Sequence, residues 1–122
     1  MFKAVCLLKR RPGMSFEEFV DYYESSHRKL GEKWIPTAKR YFRRYLRPVA
    51  NPVTGDAPEL EYDVLTEFWF ETREAFEAAM SALGSPEASS EIAHDEERLF
   101  DRSKICLCTT EERESTLGTP PQ

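Results

Sequence analysis

Residues 10–30 read Arg-Arg-Pro-Gly-Met-Ser-Phe-Glu-Glu-Phe-Val-Asp-Tyr-Tyr-Glu-Ser-Ser-His-Arg-Lys-Leu, and this stretch organises the rest of the chain. Pro12 and Gly13 predict a turn. Ser15 with Glu18 three positions later is the pattern of a capping box, which predicts the first turn of a helix. The apolar residues that follow recur at helical spacing and are Phe16, Phe19, Val20, Tyr23 and Leu30. His27 falls within this apolar stripe, so the face expected to be buried carries one imidazole.

The chain has 122 residues, enough for one domain, and a formal net charge of −5. An acidic balance argues against a nucleic-acid partner, which would favour a basic face. No apolar run is long enough to span a bilayer, and the N-terminus lacks the pattern of a signal peptide, so we expect a cytoplasmic protein with no membrane partner. The three cysteines are expected to be small buried apolar groups.

Alternating and helical patterns, with Pro and Gly breaks between them, predict seven elements along the chain. They are strand 2–9, helix 16–29 ending near Gly31, strand 39–47, strand 62–70, a helix between Thr72 and Gly84, a helix from Ser85 toward Phe100, and strand 104–110. This order predicts an α+β, ferredoxin-like βαββαβ domain over residues 1–110, with one antiparallel four-stranded sheet. Residues 111–122 are a polar C-terminal tail, and residues 48–61 a long loop.

In this fold the helices cover one face of the sheet. The other face still carries aromatic and aliphatic side chains, so the same face of a second copy is the simplest cover. We therefore expect a homodimer.

The role of His27 has two interpretations. It is either a core histidine that bonds a backbone carbonyl, or a general acid/base at the wall of a cavity between helix and sheet. Nearby aromatic residues would suit a planar aromatic ligand, although core packing is their commoner use; they are Phe16, Tyr23, Trp69, and Phe68 or Phe70. Glu67, flanked by apolar residues on its strand face, is either drawn inward or paired with an arginine of the second strand.

His94 and Asp95 form a second candidate site, although Asp95 could also be a local cap. The chain has only two histidines, and the cysteines lack partners at metal-ligand spacing. We therefore expect neither a metal site nor a cofactor.

Three groups of residues resemble the EthD-domain family. The most specific is the opening motif, residues 9–15 followed by Glu18-Phe19, Tyr22-Tyr23, His27 and Leu30. The others are residues 67–70 with Phe76, and Asp95 followed by Phe100-Asp101. Tyr23 stands where relatives often have Trp, and Lys29 where a proline is common.

The resemblance implies a dimeric α+β barrel. Relatives include fungal cofactor-free dehydratases and decarboxylases of aromatic polyketides, and a protein encoded beside an ether-degrading oxygenase system. Antibiotic-biosynthesis monooxygenases and haem enzymes share the barrel more distantly. The resemblance also implies that His27 is the catalytic position.

We expect a cofactor-independent lyase, a decarboxylase or dehydratase, acting on a small aromatic or polyketide-like acid. In this interpretation His27 carries the proton, Tyr22 or Tyr23 hydrogen-bonds the substrate, and Arg44 holds a carboxylate or phenolate. The alternatives are a cofactor-free monooxygenase of the same fold, a non-catalytic binding protein of a degradation pathway, and a haem protein with His27 on iron.

Overall fold

The computed structural model describes residues 1–118; the last four residues of the expected tail lie outside this range. The secondary structure consists of strand β1 (Phe2–Leu8), helix α1 (Phe16–Tyr22), a π-helical segment (Tyr23–His27), α2 (Arg28–Trp34), β2 (Arg40–Tyr45), β3 (Val64–Phe70), α3 (Arg73–Leu83), α4 (Pro86–Glu96), a short 3₁₀ turn (Arg102–Lys104) and β4 (Cys106–Thr109). The first three helical segments follow one another without a break, so the order is the predicted βαββαβ with a doubled second helix.

The four strands form one antiparallel sheet in the order β2-β3-β1-β4. The two central strands pair along their whole length, from Phe2 opposite Phe70 to Leu8 opposite Val64. The predicted α+β fold with a single antiparallel four-stranded sheet is confirmed.

Helix starts follow the capping residues of the sequence. The Ser15 hydroxyl accepts from the Glu18 backbone N–H at 3.1 Å, and the Glu18 carboxylate accepts from the Ser15 N–H at 3.0 Å. Thr72 caps α3 and Ser85 caps α4, each accepting a backbone N–H three residues on. Each cap satisfies a donor that the first helical turn leaves free.

The prediction that the first helix ends near Gly31 is wrong, because this glycine lies inside α2. The chain leaves the helix at Ile35, whose φ of −126° and ψ of 56° are not helical. Pro36 follows directly, and a proline disfavours the helical conformation in the residue before it. The helix therefore ends ahead of the proline, at Trp34, four residues beyond Leu30, the end of the predicted apolar stripe.

The helices cover one face of the sheet. On that face, the buried clusters combine Leu8, Val64 and Phe70 from the strands with Phe19 from α1 and Ala79 from α3. Leu99 and Phe100, just after α4, complete the cluster around Phe19, and both are almost fully buried. This covered face of the sheet is the face that can enclose a cavity.

The opposite face of the sheet, which we call the open face, is formed by alternate residues of the same strands. Its middle holds Leu65, Glu67 and Trp69 of β3, next to Phe42 of β2, whose ring centroid lies 5.2 Å from that of Trp69. The expected buried cysteines are only partly found: Cys6 is half-buried, whereas the other two, on edge strand β4, are exposed.

Candidate functional site

A cavity of about 140 Å³ lies between the sheet and the continuous helix formed by α1, the π-helical segment and α2, and His27 forms part of its wall. Its lining is mainly aliphatic and aromatic, with six polar or titratable side chains: Cys6, Tyr23, His27, Tyr41, Thr66 and Glu96. An engineered apolar cavity of about 150 Å³ accommodates benzene. The volume therefore matches one aromatic ring.

His27 is oriented by Asp95 of α4. The His27 Nδ1 lies 2.9 Å from Asp95 Oδ2, and both side chains are almost entirely removed from solvent. The same carboxylate accepts from the Tyr22 hydroxyl at 2.5 Å and from the Ser26 hydroxyl at 3.2 Å. Because Nδ1 faces a carboxylate, it carries the proton in the neutral ring, and Nε2 keeps its lone pair.

The π-helical segment explains how three side chains reach one carboxylate. At about 100° per residue, Tyr22 and His27 would diverge by about 140° around an α-helix. The Arg28 N–H instead bonds the Tyr23 carbonyl five residues earlier, which widens this turn. Positions five apart then come to the same side, so Tyr22 and His27 both face Asp95. Such π-bulges are frequently found at functional sites.

Glu24, on the opposite side of the same segment, fixes it to strand β2. Its carboxylate accepts from Arg43 Nη2 at 2.8 Å and from the Tyr45 hydroxyl at 2.5 Å. These bonds hold the pKa of Glu24 below its usual range, mainly through the Arg43 hydrogen bond. The segment that carries His27 is therefore fixed on both sides, by α4 and by the sheet.

The dyad of His27 and Asp95 has shifted pKa values. Burial lowers the pKa of His27, and the nearby Asp95 only partly offsets this effect. For Asp95, burial alone would raise the pKa, but the hydrogen bonds from Tyr22 and His27 outweigh it and the pKa lies below its usual range. At neutral pH the pair is a neutral imidazole beside a carboxylate, which is the form of a general base.

The floor of the cavity is a pair of hydroxyls from the helix and the sheet. The Tyr23 hydroxyl lies 2.7 Å from Thr66 Oγ1, and both residues are buried. Tyr41 stands beside them, and burial raises its pKa to about 12. A Cβ on Gly31 would lie only 2.8 Å from the Tyr41 ring, so the glycine allows the ring to pack against the helix.

Four of the residues expected at the site lie at or next to the cavity. His27 and Tyr23 line it, and Tyr22 and Asp95 orient His27 from behind. Phe16 is not among them: it lies in a surface cleft near the end of β1, with the Arg47 guanidinium 4.6 Å from its ring centroid.

Arg44, Glu67 and Trp69 lie on the open face, separated from the cavity by the sheet. Thr66 lines the cavity, so its neighbour Glu67 points the other way. There Arg44 Nε donates to Glu67 Oε2 at 2.5 Å, and Trp69 Nε1 donates to Glu67 Oε1 at 3.0 Å. The interpretation of Glu67 as one half of a salt bridge is the one that the structure supports. These three residues cannot contact a ligand held by His27.

His94 and Asp95 do not form a site together. His94 is exposed and its Nε2 lies 3.2 Å from Arg98 Nη2, whereas Asp95 turns inward to His27. Three further lining residues, Tyr41, Thr66 and Glu96, were not among those predicted for the site. Thr66 alone left a signal, because it is the one polar residue on the otherwise apolar face of its strand.

Within residues 1–118, no group of three or more His, Cys, Asp or Glu side chains is arranged to hold a metal ion. Over the same residues, no helix combines the length and apolarity that a membrane span requires.

The comparisons with known proteins agree with this architecture. The model of the EthD domain matches residues 11–103, which is most of the chain. This chain belongs to the EthD domain family. No curated protein matches this EthD-domain protein.

Several solved structures share its fold. An EthD family protein from Bacillus halodurans is 18% identical with a TM-score of 0.62, and the match covers 93% of this chain and 100% of that one. A protein from Arabidopsis thaliana is 19% identical with a TM-score of 0.61, over 96% and 100% of the two chains. HapK from Hahella chejuensis is 10% identical with a TM-score of 0.57, over 98% and 100%. At these identities the likeness establishes the fold alone.

Proposed function

We propose that this EthD-domain protein is a cofactor-independent lyase, a dehydratase or decarboxylase, acting on a small single-ring aromatic compound. The observation that carries the proposal is the His27 imidazole at a ring-sized cavity, with Nδ1 held 2.9 Å from the Asp95 carboxylate. A neutral imidazole oriented by a carboxylate accepts a proton at Nε2, and the carboxylate stabilises the imidazolium that forms.

One proton carrier suffices for either reaction. In a dehydration, His27 Nε2 takes a proton from the carbon beside a carbonyl, the C–H electron pair forms the double bond, and the C–O bond breaks. The leaving oxygen then takes the proton back from the imidazolium and departs as water. In a decarboxylation, His27 Nε2 first takes the proton of the substrate's carboxyl group, the C–C bond then breaks as CO₂ leaves, and the imidazolium returns that proton to the carbon that keeps the electron pair.

The residue expected to hold a substrate carboxylate is not available to this cavity. Arg44 lies on the open face and is paired with Glu67. Tyr22 is likewise engaged by Asp95, which leaves Tyr23 and Tyr41 as the tyrosines at the cavity wall.

The test is to replace His27 by Gln, which keeps a side chain able to donate to Asp95 but cannot cycle a proton. We expect turnover of a ring-sized hydroxy-carbonyl or carboxylated substrate to fall by about 10²–10⁴-fold, as is usual for the loss of a general acid/base. Asp95→Asn should also reduce turnover while the His27 ring remains in place. His94→Gln, a histidine replacement outside the cavity, is the matched control.

A folded His27→Gln protein with near-normal turnover would refute the catalytic role. Oxygen uptake in step with product formation would indicate the monooxygenase alternative. Ligand binding without any turnover would indicate the binding-protein alternative.

We also propose that a second copy of the chain covers the open face. The support is the aromatic and aliphatic surface of that face, centred on Leu65, Phe42 and Trp69, which no helix of residues 1–118 covers.

A further inference from the structure

The polar groups of the cavity wall divide into those already paired within the protein and those free to meet a ligand. Tyr23 and Thr66 satisfy each other at 2.7 Å. His27 uses Nδ1 on Asp95 and keeps Nε2. Glu96 also lines the cavity, with its side chain mostly removed from solvent.

Glu96 is poorly neutralised. Its one ion pair within residues 1–118 is with Arg102, whose Nε lies 3.9 Å from Oε1, and Arg102 is half exposed and shared with Glu97. Burial raises the pKa of Glu96, the Arg102 charge lowers it in part, and the neighbouring Asp95 raises it further. Its side chain is mostly removed from solvent and lines the cavity, so this carboxyl group is a candidate to bind whatever enters the cavity.

The cavity has no positive charge to offer. None of its lining residues, all within the described part of the chain, is lysine or arginine. His27 from the π segment and Cys6 from β1 share the cavity wall with Glu96, and Asp95 and Arg102 are the charges that act on it. Burial lowers the pKa of His27 and raises the pKa of Cys6 to about 12, so the imidazole adds no positive charge and the thiol adds no charge at neutral pH.

An anionic ligand would therefore meet the Glu96 carboxylate in a low-dielectric space, and the one cation that pairs with Glu96 among residues 1–118, Arg102, is half exposed and does not line the cavity. Like charges at close range in such a site are strongly unfavourable. An uncharged ligand with amide, hydroxyl or carbonyl groups instead finds both a carboxyl group and the lone pair of His27 Nε2. The wall around them is otherwise apolar and suits a ring.

We propose that the His27 cavity selects uncharged aromatic ligands that carry a polar substituent and rejects aromatic carboxylates, and that Glu96 is the residue that sets this selectivity. The inference rests on the proposed function for the identity of the site, but it concerns binding and not turnover. Of the two reactions proposed above, it favours dehydration, whose substrate need not carry a charge.

The experiment compares benzamide with benzoate, which share one shape and differ in charge. Binding to the full chain is measured at neutral pH by calorimetry, and the site is mapped by backbone amide chemical shifts. We expect benzamide to bind at the cavity at least about tenfold more tightly than benzoate, because the charge repulsion with Glu96 acts on benzoate alone. Glu96→Gln keeps the shape of the side chain and removes its charge, so the ratio should shrink to within about threefold.

Glu97→Gln is the matched control, since it makes the same change on an exposed neighbour of Glu96 and should leave the ratio unchanged. Equal binding of the two probes to the native protein would overturn the proposal. So would a ratio that Glu96→Gln leaves intact, or no shift of cavity residues with benzamide at millimolar concentration. His27→Gln turnover is read separately, so loss of the charge selectivity and loss of the catalytic role are distinguishable.

Discussion

The two faces of the single sheet are built from alternate residues of the same strands, yet they carry different chemistry. On the helix-covered face, apolar side chains are buried and the few polar groups are paired, as Tyr23 is with Thr66. On the open face, aromatic rings lie among charges: Lys3 Nζ is 4.1 Å from the Trp69 ring, and Arg44 is 4.4 Å from the Phe42 ring. The covered face can enclose a ligand, whereas the open face suits contact with another surface.

The largest expected effect tests whether the open face is an interface. We expect the protein to sediment as a dimer at micromolar concentration, and Leu65→Glu to convert it to a folded monomer. A carboxylate there would be buried in the dimer beside Arg44, whose charge is already paired with Glu67. Val49→Glu makes the same change at a position that is 84% exposed, and should leave the dimer intact. Sedimentation of the native protein as a monomer would rule out the proposed dimer.

The next effect compares one ring on each face. Phe19 is fully buried at the centre of the covered face, so Phe19→Ala should destabilise the protein by about 3–5 kcal/mol. Phe42 is half-buried on the open face, and Phe42→Ala should cost about 1–2 kcal/mol in the monomer. Chemical denaturation measures both. If the second copy covers Phe42, the loss of unfolding free energy caused by Phe42→Ala should grow with protein concentration. The loss caused by Phe19→Ala should not. Equal costs would mean that the contrast between the faces is wrong.

A smaller effect concerns the close approach that shapes the cavity. Alanine normally stabilises a helix interior over glycine by about 0.5–1 kcal/mol. At Gly31 the added Cβ would lie 2.8 Å from the Tyr41 ring, so we expect Gly31→Ala to destabilise by about 1–3 kcal/mol. Gly84→Ala, whose nearest contact would be 3.4 Å, serves as the control and should change the denaturation midpoint little. A stabilised Gly31→Ala protein would show that Tyr41 moves without cost.

The strands, the caps and the order of the elements along the chain follow from local patterns, and the sequence predicted them. The two faces of β3 were also separable, because alternation assigns Thr66 and Glu67 to opposite sides. Which face the helices cover was not fixed by alternation, since both faces are rich in apolar residues. That is why Arg44 and Trp69 were expected at a cavity that they cannot reach.

The partnership of His27 with Asp95 depends on two features that sequence patterns do not encode. One is the π-helical turn, which rotates His27 toward Tyr22 and which a constant 100° per residue does not anticipate. The other is the packing of α4 against that turn, a contact across 68 residues of sequence. The family resemblance implied a role for the histidine, but its orienting carboxylate emerged only from the tertiary structure.

The smallest effect concerns the pH dependence of stability, and it separates the cavity from the rest of the covered face. Burial lowers the pKa of His27 below its usual value of about 6.5, so the unfolded chain binds a proton there more readily than the folded chain does. Stability rises with pH wherever the unfolded state binds more protons. The contribution of His27 is therefore absent well above about pH 6.5, and it destabilises progressively as the pH falls from about 6.5 toward the lower folded pKa, below which it no longer changes.

His27→Gln removes this titration. We expect its melting temperature, relative to that of the native protein, to rise as the pH is lowered from about 7.5 to about 5. Phe19→Ala keeps His27 and removes packing, so its difference from the native protein should stay nearly constant over the same range. Parallel pH curves for the native protein and His27→Gln would mean that folding does not shift the pKa of His27. A difference of the opposite sign, with the native protein gaining stability as the pH falls, would mean that folding favours the imidazolium, and it would count against His27 as the base.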